Sequence, residues 1–335
     1  MVTVRKHPVL TWLITGYVTF IVLWLLLRAL FFDRFWPLAL LNTVAEYLFV
    51  PLLPFLLVGI WQRRWLVVLL LAIPTVSFIV LFGELFWPPS ARSRENSGEP
   101  LITVMSFNVL YTSQEYEAIA KSIHAASPDL IGLQELTPKN ARAIARALET
   151  EYPYSTLQTL DPGRSAGLLS RFPIQTAEWF SLPPLDIALH TTMDLNGGRI
   201  HVFVVHLSAN NLFDHPVGEL VPLVIQRYGQ RAAEVARLQE EIADLAEPVL
   251  LMCDCNLTDT SEAYAHLEGF LSDSFREAGW GFGHTLYTPG APVPLQRLDY
   301  VWHSHDFVAV EAFVGQAGGS DHLPMVAKLE LAQAP

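Results

Sequence analysis

Hydrophobic residues in this 335-residue chain are crowded into one end. Residues 1–88 are almost continuously apolar, whereas the chain beyond about residue 98 mixes polar and apolar residues as a water-soluble domain does. The two parts need different solvents, and the second is long enough to bury one sizeable core. Three stretches, 10–32, 36–60 and 65–86, reach the roughly 20 apolar residues that cross a bilayer as helix. Trp36, Trp61, Trp65 and Trp87 stand at or near their ends, where indole favours the membrane interface. Short connections predict a tight antiparallel set of three transmembrane helices over residues 1–87. The first run is too long for a signal peptide and no small-x-small cleavage site follows, so it is expected to stay attached.

Basic residues orient such a set. Arg5 and Lys6 precede the first span and Arg63 and Arg64 separate the second from the third, while Asp33 and Arg34 nearly cancel in the first loop. The positive-inside rule then puts the N-terminus in the cytoplasm and residues 101–335 outside it, with Arg92 and Arg94 pulling the other way. Asn42 and Glu46, four apart in the second span, share a helix face and are expected to glue the three helices together or to snorkel toward an edge. Residues 88–100 (PPSARSRENSGEP) are too polar and too rich in Pro, Ser and Gly to bury a core, and form a linker.

From residue 98 onward there are 13 Lys and Arg against 29 Asp and Glu, a balance of −16. So acidic a domain repels long polyanions, which makes nucleic acid a poor partner. Cys253 and Cys255 are the only cysteines, too few for a disulfide framework. They flank Asp254 in an apolar run, so as strand residues both face away from it, and the expected role is that of small core residues rather than of a redox or zinc pair.

Strands are expected at 102–110, 129–134, 166–170, 199–206, 249–254, 298–302 and 325–331, and helices at 113–126, 138–150 and 226–245. That pattern suits an α/β fold, a two-sheet α/β sandwich flanked by helices. Polar residues cluster where the strands end: Asn108 in MSFNVLY, Glu135 in DLIGLQEL, His206 in VVHLSAN, Asp254 and Asn256 in LLMCDCNLTD, Asp299 in QRLDYVW, and Asp321 with His322 in GGSDHLP. Any one of these is a turn former or a cap. Together they supply carboxylates, amides and imidazoles for metal-assisted hydrolysis of a phosphate ester. The oxygen-rich set suits Mg²⁺ or Mn²⁺, and the His and Cys spacing of a zinc site is missing from the sequence.

These blocks, in this order over residues 101–331, resemble the endonuclease/exonuclease/phosphatase superfamily, which includes deoxyribonuclease, abasic-site endonucleases, inositol polyphosphate 5-phosphatases and neutral sphingomyelinases. S-D-H with L-P, and R-L-D-Y-V, are its most specific matches; Cys253-Asp254-Cys255-Asn256 departs from the usual Gly-Asp-Phe-Asn only at positions facing away. The resemblance implies a four-layer sandwich and a role for each residue. Glu135 is the principal metal ligand, with Asn108 and Asp321 near the metal or its waters. Asp254, held by Asn256, deprotonates the attacking water. His206 and His322 donate to phosphate oxygens, and Asp299 fixes His322. His124, His190, His201, His303 and His305 are expected to be structural, and Arg164 and Arg171 to be surface charge, the alternative being contact with a phosphate.

A 13-residue linker reaches about 45 Å, which holds the enzyme near lipid head groups. The apolar stretch 211–225 (NLFDHPVGELVPLVI) is either a lip that contacts lipid or a loop packed on the following helix. Three spans with an outward domain also resemble a bacterial group associated with glycopeptide resistance, which implies a membrane lipid or polyprenyl diphosphate substrate. The alternatives are an extracytoplasmic nuclease, disfavoured by charge, and a non-catalytic ligand-binding sensor, whose mark would be a missing ligand or base.

Overall fold

The computed structural model describes residues 8–87, 101–159, 165–182, 186–195, 197–210 and 215–332. Arg5, Lys6, Arg92, Arg94, Arg164, the expected linker at 88–100 and residues 211–214 lie outside the described residues.

The anchor comprises α1 (Pro8–Phe31), α2 (Trp36–Thr43), α3 (Leu52–Trp61), α4 (Trp65–Leu70) and α5 (Ala72–Phe82). Two continuous helical stretches, Val9–Phe31 and Trp65–Leu85, are long and apolar enough to cross a membrane. The expected middle span is not straight. Its halves Trp36–Thr43 and Ala45–Trp61 meet at 76°, so the described residues contain two candidate spans, or three if the bent pair counts as one. At the break the Asn42 carbonyl is taken by the Thr260 hydroxyl of the second domain. Further on, Pro51 has no N–H to give Tyr47, whose carbonyl accepts a tighter bond from Val50 (3.2 Å), so the second half opens as a 3-10 turn.

Asn42 does join helices, as expected: its side chain accepts from Trp24 Nε1 (3.0 Å) and donates to Asp33 (2.8 Å). Glu46 does not. It turns out of the anchor to meet His284 Nε2 at 2.9 Å, because the break at Val44 rotates its face away from α1. Around it the anchor is stitched to the second domain. Asp33 accepts from the Glu262 N–H (2.6 Å), Tyr47 donates to the Leu295 carbonyl (2.6 Å), and Arg276 reaches the Leu81 carbonyl (2.6 Å) and Glu84 (3.1 Å).

The second domain runs β1 (Leu101–Asn108), α6 (Tyr116–Ala126), β2 (Leu130–Gln134), α7 (Pro138–Leu148), β3 (Tyr154–Leu157), β4 (Ala166–Ser170), β5 (Ile174–Leu182), β6 (Asp186–Leu195), β7 (Gly198–His206), α8 (Leu220–Ala243), β8 (Val249–Asp254), α9 (Glu262–Glu268), β9 (Ser272–Asp273), α10 (Ser274–Ala278), β10 (Asp299–His303), β11 (Phe307–Val314) and β12 (Met325–Leu331). Among the described residues the strands form two six-stranded sheets, ordered β11-β12-β1-β2-β4-β3 and β5-β6-β7-β8-β10-β9. Their inner faces share one core that includes Val104, Leu130, Val202, Val204, Leu250, Met252 and Val301. On the outer faces, α6 and α7 pack over Met105, Phe107, Ile131 and Leu133, and α8 and α9 over Phe203, Val205, Leu251 and Trp302. The result is the four-layer α/β sandwich.

Two local expectations shift. The helix expected from Ser113 starts at Tyr116, because the Ser113 hydroxyl bonds the Gly319 carbonyl (2.6 Å) and leaves the helix without a side-chain cap. The long helix starts before Gln226, at Leu220, since Leu223 and Val224 are buried and reward the extra turns.

The sheets approach closely at Gly132, where a Cβ would stand 2.6 Å from that of Met252. Gly132→Ala is therefore expected to destabilise the fold by about 1–3 kcal/mol through overpacking. Equilibrium unfolding of the two proteins checks this.

Candidate active site

Side chains alternate along a strand, and that parity builds the site. Val104, Gly132, Val204, Met252 and Val301 all face the gap between the sheets. The same face then carries Asn108 at the end of β1, His206 at the end of β7, Asp254 at the end of β8 and Asp299 at the start of β10. Register brings the last three side by side, with His206 opposite Asp254 on parallel strands and Asp254 opposite Asp299 on antiparallel ones.

Asn108 is buried and holds two carboxylates at once. Its Nδ2 donates to Glu135 Oε1 (3.0 Å) and Asp254 Oδ2 (2.8 Å), while its Oδ1 accepts from the Leu110 N–H (2.9 Å). Glu135 follows β2 with φ of 57°, a left-handed conformation that costs a non-glycine residue about 1–3 kcal/mol. Its surroundings hold it there. The Tyr111 N–H donates to Oε2 (3.1 Å), and α7 opens directly afterwards with a reciprocal cap between Thr137 and Asn140.

Asp254 Oδ2 is the hub, lying 3.5 Å from His206 Nε2 and 3.8 Å from His322 Nε2. Its Oδ1 accepts from the Asn256 N–H (3.2 Å), and Asn256 is itself held through its side chain to the Leu207 carbonyl (3.0 Å). His322 Nδ1 meets Asp299 Oδ2 at 2.7 Å. Burial opposes the charge on His322, yet Asp299 and Asp254 outweigh it and push the imidazole up to about 10. Burial likewise raises the Asp299 carboxyl, against the pull of His322. The folded pair keeps its proton more tightly than an unfolded His near 6.5, so its contribution to stability is complete below that pH and lost as pH rises through about 10.

Asp321 stands apart from this convergence. It lies at the rim, where partial desolvation of its carboxyl, with Glu135 and Asp254 beside it, raises its pKa against the pull of His322. Two positions escaped the sequence reading. Thr285 accepts from the N–H groups of Leu298 (3.1 Å) and Asp299 (3.3 Å), and carries no motif; Ser320 ties the Asn108 carbonyl (2.8 Å) to the His322 N–H (3.1 Å), and its place before Asp321 and His322 was the available signal. The remaining histidines pair elsewhere: His124 with Glu151, His190 with His201, and His303 with Glu277, while His305 is exposed. Arg171 bonds Asp129 (3.1 Å) and Ser127 (2.9 Å) at the end of β4 remote from the site.

Cys253 and Cys255 are buried in the outer core, facing away from Asp254 as expected, but they are joined as a disulfide rather than standing as separate core thiols. One intervening residue on the outward-turning end of β8 brings their side chains to the same side, where they meet.

Glu135, His206 and Asp254 each offer a ligand atom within 4.8 Å of the others, and so do Asp254, Asp299 and His322. Carboxylates this close, in partly buried surroundings, repel one another unless a cation lies among them. Hard oxygen donors with one or two imidazoles fit a divalent ion.

Residues 105–322 match the model of the Endonuclease/Exonuclease/phosphatase family. The chain belongs to this family. As an endonuclease/exonuclease/phosphatase protein it is a metal-dependent hydrolase acting on phosphoester bonds. Its fold is that of a family protein from Beutenbergia cavernae (TM-score 0.56, 23% identity, covering 70% of this chain and 72% of that one). It is also that of one from Bacteroides vulgatus (TM-score 0.58, 18% identity, 70% and 100%) and of a mannosyl-6-phosphatase from Bacteroides thetaiotaomicron (TM-score 0.52, 17% identity, 68% and 99%). No curated protein sequence matches the chain.

Proposed function

We propose that this chain hydrolyses a phosphate ester or diphosphate at the head of a membrane lipid, a polyprenyl diphosphate being one candidate, outside the cytoplasm and with Mg²⁺. One observation carries the reading. The segment that bonds the anchor, through His284 to Glu46 and through Leu295 to Tyr47, also bridges at Leu286 to the catalytic His322. The reactive histidine is thus one short hairpin from the apolar helices. The contacts at Asp33 and Arg34 and at Glu84 lie at the opposite end of the helices from Arg63 and Arg64. With basic residues kept inside, the catalytic domain lies outside.

In this reading Glu135 would hold the metal, with Asn108 and, at the rim, Asp321 near the ion or its waters. The ion, when bound, neutralises charge growing on the phosphoryl and leaving oxygens. Asp254 takes the proton of the attacking water, its oxygens kept in place by Asn108 and the Asn256 backbone. Asp299 holds the His322 Nδ1 proton, which leaves Nε2–H to donate to a non-bridging oxygen beside His206. Water attacks in line, without a covalent enzyme intermediate.

Full-length protein incubated with Mg²⁺ and polyprenyl diphosphate, phospholipid, a soluble inositol phosphate or DNA tests this. Hydrolysis of a lipid substrate, abolished by chelation and restored by Mg²⁺, is expected. Cleavage of DNA alone would overturn the lipid assignment, consistent with a nuclease despite the acidic surface.

A further inference from the structure

The apolar stretch that begins after the His206 loop is helical from Val217 onward, and part of it has no cover. Leu223 and Val224 are buried, while Val217, Val221 and Ile225 are 84%, 37% and 58% exposed. Val221, Ile225 and Tyr228 follow the i, i+4, i+7 spacing of one helix face. Tyr228 on that face touches the anchor: its hydroxyl donates to the Ala39 carbonyl of α2 (3.1 Å) and contacts the Thr43 hydroxyl. The exposed stripe therefore continues an interface that exists.

The position of α2 says what covers the stripe. Asp33 before it and Glu46 after it both bond the catalytic domain, so α2 runs along the catalytic end of the anchor, while α3 leaves toward Arg63. A helix lying beside α2 sits at the level where the apolar anchor meets water. We propose that the 3-10 turn at Val217–Glu219 and the start of α8 that follows it, residues 217–228 together, rest their Val217, Val221 and Ile225 face in the bilayer interface. An apolar stripe on one side of a helix is the form such contacts take. The attachment is hydrophobic, since a domain with a −16 balance gains nothing from anionic lipid.

The same helix steadies the catalytic loop. One turn on, buried Arg231 donates to the Ser208 carbonyl (2.8 Å) and Asn210 (2.8 Å), and Glu234 accepts from the Ser208 N–H (3.0 Å) and hydroxyl (2.6 Å). Lipid contact at Val221 and Ile225 is thus passed to the residues that follow His206.

The inference rests on the anchor being embedded, and is independent of which substrate is hydrolysed. Nitroxide labels at Val221→Cys and Ile225→Cys in the full-length protein, reconstituted in phosphatidylcholine nanodiscs, test it; the native sulfurs are buried and paired. Leu66→Cys, exposed on the anchor, and Gln239→Cys, exposed on the far half of α8, are the lipid and water references. Labels at 221 and 225 are expected to be several-fold less accessible than 239 to a water-soluble nickel chelate and more accessible to oxygen. Nickel accessibility equal to that at 239 would overturn the proposal. So would exclusion of both reagents with spin–spin broadening, which would give the face to a second copy. An aqueous reading at Leu66 would remove the embedded anchor, and the proposal with it.

Discussion

Asp254→Asn lowers turnover by about 10³-fold, within the range a general base contributes. The amide cannot accept the proton of water, and it cannot copy the carboxylate's place either. Both oxygens of Asp254 receive N–H donors, from Asn108 and from the Asn256 backbone, so any orientation of Asn sets one amide N–H against another. That mismatch costs about 1–3 kcal/mol. Loss of one charge beside Glu135 and Asp299 offsets it, so metal-free stability stays close to that of the parent. The divalent ion should then stabilise the variant less, because binding to the native state raises the melting temperature only as far as affinity allows. Steady-state kinetics and thermal unfolding with and without Mg²⁺ separate these effects. A variant with near-parental turnover would remove Asp254 from the mechanism.

Asp299→Asn is expected to cost about 10²-fold in kcat through His322. Asp299 is the main influence lifting the imidazole against its burial; without it the titration moves down from about 10. At neutral pH the variant then loses the proton that Nε2 would donate, and the alkaline limb of its pH profile moves to lower pH. The tautomer also loses its guide, since Nδ1 no longer faces a carboxylate at 2.7 Å. NMR titration of His322 in the metal-free protein reads the shift directly. An imidazole still titrating near 10 in the variant would show that Asp254, not Asp299, sets its charge.

Why the site was legible before the fold was known follows from strand parity. In LLMCD and VVH the apolar residues of the inner face lead by steps of two to Asp254 and His206, so a polar residue at the end of such a run has to face the gap between the sheets. Glu135 was legible as a residue type but not as a conformation. Its left-handed backbone depends on Asn108, Tyr111 and Asn140, which are brought to it by separate elements. Thr285 was illegible because it acts through its hydroxyl on two N–H groups more than ten residues away. The middle apolar run looked like a plain span because composition records length and hydropathy alone. Its bend depends on a hydroxyl from Thr260, over two hundred residues further on. Glu46 was misread for the same reason, its partner being His284. The edge strand β5 carries too many exposed residues to stand out as an apolar run.

The seam made by Asp33, Asn42, Glu46 and Tyr47 has a kinetic consequence. Where the anchor helices are embedded, a catalytic domain hydrogen-bonded to them is held in one orientation to the membrane plane. For a lipid substrate the search then becomes two-dimensional, and the rate follows the mole fraction of substrate in the surface rather than its amount per volume. Diluting the lipid within the bilayer slows such an enzyme; diluting the whole suspension does not.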